Sequence, residues 1–259
     1  MAHLVTRSAK KFFREVKSPG DAARFCWRVL MPIDPRVRLG HGWIWGKLPR
    51  MELSQVLPGI ESTSVLILEA HNRNLVATPM LEETAVLLAI VKHVGAKKIF
   101  ELGTFDGSTT LNLAANTPPD AKIITLDLPP NWDGKLSFEM PKDFQNVPDT
   151  KIVGRRFHNT PHHGKIQQVL GDSAKIDWSE LPGPFDLIFI DACHYYDYVV
   201  KDTQNALKHI SPNGVIVWHD YGSFKDVSDA VDETAAQIKV HAIAGTRLAV
   251  GFPGMKAAA

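Results

Sequence analysis

Residues 97–107 read Lys97-Lys98-Ile99-Phe100-Glu101-Leu102-Gly103-Thr104-Phe105-Asp106-Gly107, a short apolar run that stops at a glycine and gives way to small residues as far as Ala115. The run suits a strand, and Gly107 to Ala115 suits a helix. Strand, glycine-rich turn and helix in that order form the unit in which open α/β sheets hold nucleotide-like cofactors. A dinucleotide site wants G-x-G-x-x-G, because backbone N–H groups must approach a pyrophosphate closely. Phe105 stands where the second of those glycines belongs, which argues against NAD. Glu101, two residues before the first glycine, favours a cationic ligand, and a sulfonium carrying an ammonium group is one. The turn points to S-adenosylmethionine.

The same alternation continues downstream. Lys122–Leu126 reads as a second strand closing on Asp127, Lys165–Leu170 as a third before Gly171-Asp172-Ser173, and Phe185–Ile190 as a fourth before Asp191. The fourth is almost continuously apolar, as a strand buried on both faces must be. Val215–Trp218 makes a fifth, entered from the turn Ser211-Pro212-Asn213-Gly214, with helices over Tyr198–His209 before it and Val227–Lys239 after it. Two closing strands, Val240–Ile243 and Arg247–Phe252, flank a tight hairpin at Ala244-Gly245-Thr246. Upstream, Pro79–Val94 is expected to be a helix with Thr78 as its N-cap and Met80, Ala85, Leu88 and Val91 near one face. Strands alternating with helices mean a doubly wound, mostly parallel sheet in an α/β fold.

Acids close successive strands around one crevice. Asp127 suits the ribose hydroxyls of an adenosine, Asp172 its amino group, and Ser173 a further polar contact. With Glu101, Gly103, Thr104, Phe105, Gly107 and Asp191 they make up the expected cofactor set, although Gly, Asp and Ser also serve as plain turn and cap residues. Asp191, His219 and Asp220 end the fourth and fifth strands side by side. One histidine with two aspartates is a ligand set for a divalent metal, magnesium or manganese. Without a metal, His194 or His219 is the candidate general base beside Asp191, since imidazole titrates near neutral pH. His219 also suits a plain strand-end hydrogen bond. Tyr195, Tyr196, Trp218 and Tyr221 suit either an acceptor or the packing of helix on sheet. His158, His162 and His163 lack an accompanying cysteine or acid triad and read as loop residues.

These motifs resemble class I S-adenosylmethionine-dependent methyltransferases. Glu101-Leu102-Gly103-x-x-x-Gly107 is similar to their first motif, and Phe185-Asp186-Leu187-Ile188-Phe189-Ile190-Asp191 to their fourth. Asp191-Ala192-Cys193-His194-Tyr195-Tyr196, with Ser211–Gly214 leading to Trp218-His219-Asp220-Tyr221, resembles the small-molecule O-methyltransferase branch, macrocin-type and cephalosporin-hydroxylase-like. The resemblance spans roughly residues 75–252. It implies a Rossmann-like, seven-stranded sheet with a reversed last strand, and O-methylation of a small-molecule hydroxyl such as that of a sugar. It also implies a metal cluster that is all carboxylate in the macrocin-like enzymes, from which His219 departs. A noncatalytic cofactor-binding scaffold and a hydroxylase-like enzyme on the same fold are the alternatives.

The 259 residues, 44% hydrophobic and 22% charged, suffice for such a domain (78–259, with an insertion at 128–164) and a basic, aromatic-rich and mainly helical accessory segment (1–77). Residues 1–50 hold eleven Lys/Arg against three Asp/Glu, so the front is basic and the body acidic. That arm, with Phe12, Phe13, Phe25, Trp27, Trp43 and Trp45, is expected to pack on the acidic body or on a second copy in a homo-oligomer. A membrane surface is a weaker alternative. No run of about 18 apolar residues spans a bilayer. Cys26 and Cys193 lie far apart, in keeping with reduced thiols in a cytoplasm. An acidic body without an Asn/Asp-Pro-Pro-Tyr/Phe motif argues against nucleic acid as substrate.

Overall fold

A computed structural model describes residues 15–30, 44–69, 79–130, 132, 134–139 and 153–256. Phe12, Phe13, Trp43 and Thr78 lie outside these residues. The elements, in chain order, are α1 (Pro19–Leu30), β1 (Arg50–Met51), α2 (Leu53–Val56), α3 (Leu81–His93), β2 (Lys98–Leu102), α4 (Ser108–Ala115) and β3 (Lys122–Asp127). After them come β4 (Ile166–Leu170), β5 (Phe185–Ile190), α5 (Tyr196–His209), β6 (Ile210–Trp218), α6 (Lys225–Thr234), β7 (Ile238–Ile243) and β8 (Ala249–Lys256).

The strands form one eight-stranded sheet in the order β1-β7-β8-β6-β5-β2-β3-β4. All neighbours are parallel except β8, which runs antiparallel to both β6 and β7. The reversed strand is the one expected. The eighth strand, beyond the seven expected, is the two-residue β1 on the edge beside β7.

Side-chain alternation along the strands builds two cores, one on each face. Ile99, Ile123, Leu187, Phe189, Val215 and Val217 pack beneath α3 and α4. Phe100, Leu102, Ile124, Leu126, Ile188, Ile190, Ile216 and Trp218 pack beneath α5 and α6. Helices on both faces make the sheet doubly wound.

Several boundaries differ from expectation. Helix α3 begins at Leu81 with Met80 as N-cap, where the Glu83 carboxylate accepts from the Met80 N–H at 2.8 Å. Its buried stripe is Glu83, Thr84, Leu87, Leu88, Ile90 and Val91, whereas Ala85 and Met80 are only half-buried. The expected helix over Val227–Lys239 stops at Thr234, because Ile238 already belongs to β7. Ser211–Gly214, expected as a turn, is the start of β6, which shifts register against β5 between Phe185 and Leu187.

The described front lies on its own body. Trp45 is buried with Phe25 and Ile44, and its indole N–H donates to Glu15. Lys17 Nζ pairs with Asp226 at 3.1 Å, the Lys47 N–H donates to Asp232 at 2.9 Å, and the Ile44 and Trp45 N–H groups both donate to the Gly222 carbonyl. The described part of the front thus meets the acidic body through one ion pair, Lys17–Asp226, and through backbone N–H groups.

Candidate active site

The glycine-rich turn follows β2, which lies between β5 and β3 in the sheet. Gly103 has φ +101°, and a Cβ there would stand 2.1 Å from the Asp191 carbonyl oxygen, so only glycine lets the turn lie against the end of β5. Gly107, at φ +84°, begins α4 with Phe157 packed where a side chain would stand. Among the described residues, Phe105 is one of two non-glycine residues of positive φ, at 47°. Its N–H donates to Asp127 Oδ2 at 2.7 Å, while Asp127 Oδ1 accepts from the Leu128 N–H at 2.8 Å. Burial raises the Asp127 pKa above the ordinary value, against the pull of these N–H groups.

Glu101 and Thr104 are turned away from solvent. Glu101 shares its strand parity with Ile99, which directs it beneath α4. It is 0% exposed and accepts from the Thr110 and Thr125 hydroxyls, the latter at 2.6 Å. Its second oxygen has no partner among the described residues, and burial pushes its pKa up to about 8. The attraction expected of it for a cation is therefore not that of a full carboxylate at neutral pH. Thr104 Oγ1 lies 2.7 Å from Thr125 Oγ1. Asp172 is likewise engaged: Oδ2 accepts from the Ser137 N–H and hydroxyl, both at 2.9 Å, and from the Tyr198 hydroxyl at 3.1 Å. It thereby ties the described part of the insertion to α5. Ser173, half a turn on, is almost buried and offers its carbonyl to the Trp178 indole at 3.2 Å.

Asp191, His219 and Asp220 come together as the strand ends require. His219 Nδ1 stands 2.9 Å from Asp191 Oδ1 and 3.5 Å from Asp220 Oδ2. One ligand atom from each of the three lies within 4.8 Å of the others. His194 Nε2 is 2.8 Å from Asp220 Oδ2, and its ring stacks on Phe224 with centroids 4.3 Å apart.

Two residues that no motif flagged complete the cluster. Glu83, 0% exposed on α3, reaches His219 Nε2 at 3.1 Å. It also takes Arg247 in a fork: Nε to Oε1 at 2.8 Å and Nη2 to Oε2 at 2.7 Å. Arg247 Nη1 continues to Asp220 Oδ1 at 2.6 Å, which holds Asp220 at φ +60°. Burial opposes ionisation of Glu83, but His219 and Arg247 outweigh it and hold the carboxyl far below its ordinary range. Burial likewise disfavours a charged His219, yet Asp191, Asp220 and Glu83 raise its pKa well above the usual value. A glutamate on the apolar stripe of α3 was the one sequence signal available for this contact.

Trp218 and Tyr221, near the crevice, are packing residues. Trp218 is fully buried and donates to Thr203 Oγ1 at 2.9 Å, and Tyr221 donates to Asp232 at 2.6 Å. Tyr196 bonds Glu233 at 2.6 Å. His158 and His163 gather on Phe157, with centroids 4.8 and 6.3 Å from it.

Residues 100–221 match a family model described as a methyltransferase domain. The chain is 30% identical over 129 residues to catechol O-methyltransferase B of Danio rerio, covering 48% of this chain and 41% of that one. It is 27% identical over 146 residues to caffeoyl-CoA O-methyltransferase 2 of Zea mays, covering 56% and 50%. The matched region thus spans about half the length of these relatives or less. Among solved structures, the O-methyltransferase TomG of Streptomyces achromogenes, involved in tomaymycin synthesis and bound to S-adenosylmethionine, superposes with a TM-score of 0.51 at 18% identity, covering 68% of this chain and 81% of that one. That likeness is one of fold. Residues 100–221 are thus similar to a methyltransferase domain, and the matched stretch of the chain is similar to parts of two O-methyltransferases.

Proposed function

We propose that this chain methylates a hydroxyl oxygen of a small molecule with S-adenosylmethionine as donor. The observation that carries the reading is the contact between the Gly103 turn and Asp191, which sets the cofactor motif directly beside the Asp191-His219-Asp220 cluster. Gly103, Phe105, Asp127, Asp172 and Ser173 line the cofactor side of this arrangement. In the reaction the hydroxyl oxygen attacks the methyl carbon opposite the carbon–sulfur bond. The electron pair of that bond stays on sulfur, leaving S-adenosylhomocysteine, and the hydroxyl proton passes to a base. Alignment of the two reactants supplies much of the rate.

The donor set fits a divalent metal, with two carboxylate oxygens and one imidazole nitrogen converging within 4.8 Å. A metal such as magnesium or manganese held there would lower the pKa of a bound hydroxyl. His194, 30% exposed and held against Phe224, is the group in reach to take the proton. The relatives' names suggest a catechol and a caffeoyl thioester as acceptors to try beside sugar hydroxyls. The two cysteines, Cys26 and Cys193, lie far apart in the sequence, which favours a reducing compartment such as the cytoplasm. No helix among the described residues is long and apolar enough to cross a membrane.

The test is calorimetric titration with S-adenosylmethionine, followed by measurement of S-adenosylhomocysteine release with those acceptors. Absence of cofactor binding overturns the reading. Asp191→Ala should cost about 10²–10⁴ in turnover, the range for losing a positioned acid–base or metal-holding group. Loss of turnover on chelation, restored by manganese, supports the metal. Full turnover in chelator with loss in His194→Ala supports the histidine alone.

A further inference from the structure

We infer that Glu83 is a positioning residue which holds a hydrogen on His219 Nε2 and so leaves Nδ1, facing Asp191 and Asp220, as the nitrogen that a borderline divalent transition metal would take. The inference rests on the metal reading of the preceding subsection and adds a role for a residue on another helix. Both Glu83 oxygens are saturated with donors: Oε1 takes the Arg247 N–H and Nε–H, each at 2.8 Å, and Oε2 takes Arg247 Nη2 at 2.7 Å and the Met80 N–H at 2.8 Å. A carboxylate so surrounded is an acceptor only. His219 Nε2, 3.1 Å from Oε2, must therefore carry a hydrogen. By the same argument Nδ1, 2.9 Å from Asp191 Oδ1, carries a hydrogen while no metal is bound, and a metal would replace that hydrogen on Nδ1 while Nε2 keeps its own.

Nδ1 is the nitrogen that faces Asp191 Oδ1 at 2.9 Å and Asp220 Oδ2 at 3.5 Å. Arg247 closes the arrangement from behind, since its third contact, to Asp220 Oδ1, leaves Oδ2 of that residue turned to the imidazole. The chain thus holds a carboxylate–histidine pair behind the nitrogen that a metal would take, the outer-shell device that orients metal-bound imidazoles. One nitrogen and two carboxylate oxygens suit manganese, iron or zinc better than magnesium.

The full-length protein, freed of metal by chelation, is titrated with manganese and separately with magnesium, the readout being calorimetric affinity. Wild type is expected to bind manganese more tightly than magnesium. Glu83→Gln is expected to weaken manganese by about ten- to a hundredfold while S-adenosylmethionine binding persists, with Glu83→Asp recovering part of the loss. A second measurement needs no variant: ¹⁵N-histidine spectra of the zinc-loaded wild type should show His219 protonated at Nε2 and metal-bound at Nδ1. The opposite tautomer, or a Glu83→Gln protein of unchanged manganese affinity, overturns the inference alone. Failure of wild type to bind manganese or zinc overturns it together with the metal reading. Loss of binding in Asp191→Asn with retention in Glu83→Gln also leaves the metal site standing and removes the role of Glu83.

Discussion

A methyl group on Gly103 would collide with the backbone of Asp191, and the left-handed φ of that position disfavours any L side chain as well. Gly103→Ala should accordingly destabilise the fold by about 3 kcal/mol or more and abolish cofactor binding, checked by thermal melts and calorimetry. Asp202 offers a pH test. It is fully buried on α5, and burial, with Asp172 nearby and against a hydrogen bond from Ser173, pushes its pKa up to about 7. A carboxyl whose pKa is raised by folding favours the native state at low pH and loses that contribution as pH climbs from the unfolded value through the folded one. Glu101, at about 8, acts in the same direction. Wild type should melt lower at pH 8 than at pH 5, and Asp202→Asn should recover much of the difference at pH 8 while changing little at pH 5. An equal shift at both values would remove the explanation. Asp191, His219 and Asp220 were legible in the sequence because each ends an apolar run. Glu83 and Arg247 were not, since their roles arise from contacts between residues 136 and 164 positions apart.

Among the elements, the cofactor turn is braced from outside the sheet. Arg156 reaches Asp106 with Nε and Glu69 with Nη1, both at 2.5 Å, and the Gly154 N–H donates to the Phe105 carbonyl at 2.9 Å. Glu69 is itself held on α4, where the Asn112 side chain takes the Leu68 N–H at 2.9 Å and donates to the Glu69 carbonyl at 2.8 Å. The strap before α3 and the end of the insertion thus meet on the turn. Arg156→Ala should weaken S-adenosylmethionine about tenfold, a loss of about 1.4 kcal/mol, with Arg156→Lys intermediate. Unchanged affinity in both would show the turn to be rigid without its brace. Strands β2, β3, β5 and the hairpin strands were legible because period two and unbroken apolar runs are strong local signals. The insertion's packing was not, because Phe157 and Arg156 find their places only once the turn exists. The end of α6 was misread because Ile238 and Val240 continue a helical spacing equally well.

At the scale of the whole molecule, the described part of the front, through Lys17, Ile44, Trp45 and Lys47, meets the acidic α6 and the loop that carries Asp220. Trp45, 1% exposed beside Phe25, anchors it, and Tyr221 links it onward through the Leu48 N–H at 2.9 Å. Trp45→Ala should cost about 3–5 kcal/mol and lower manganese affinity together with stability, seen by comparing melts with metal titrations. A stable variant of normal affinity would separate the front from the site. The doubly wound class and the reversed strand could be read in advance; β1 could not, since two residues carry no periodicity. The place of β8 between β6 and β7 has a consequence for synthesis. Sheet closure and the Arg247 fork must wait until the ribosome has released residues 247–256, so a nascent chain already displaying its glycine-rich turn, His219 and Asp220 still lacks the guanidinium that gathers them. The cluster is therefore assembled only once β8 has entered the sheet between β6 and β7.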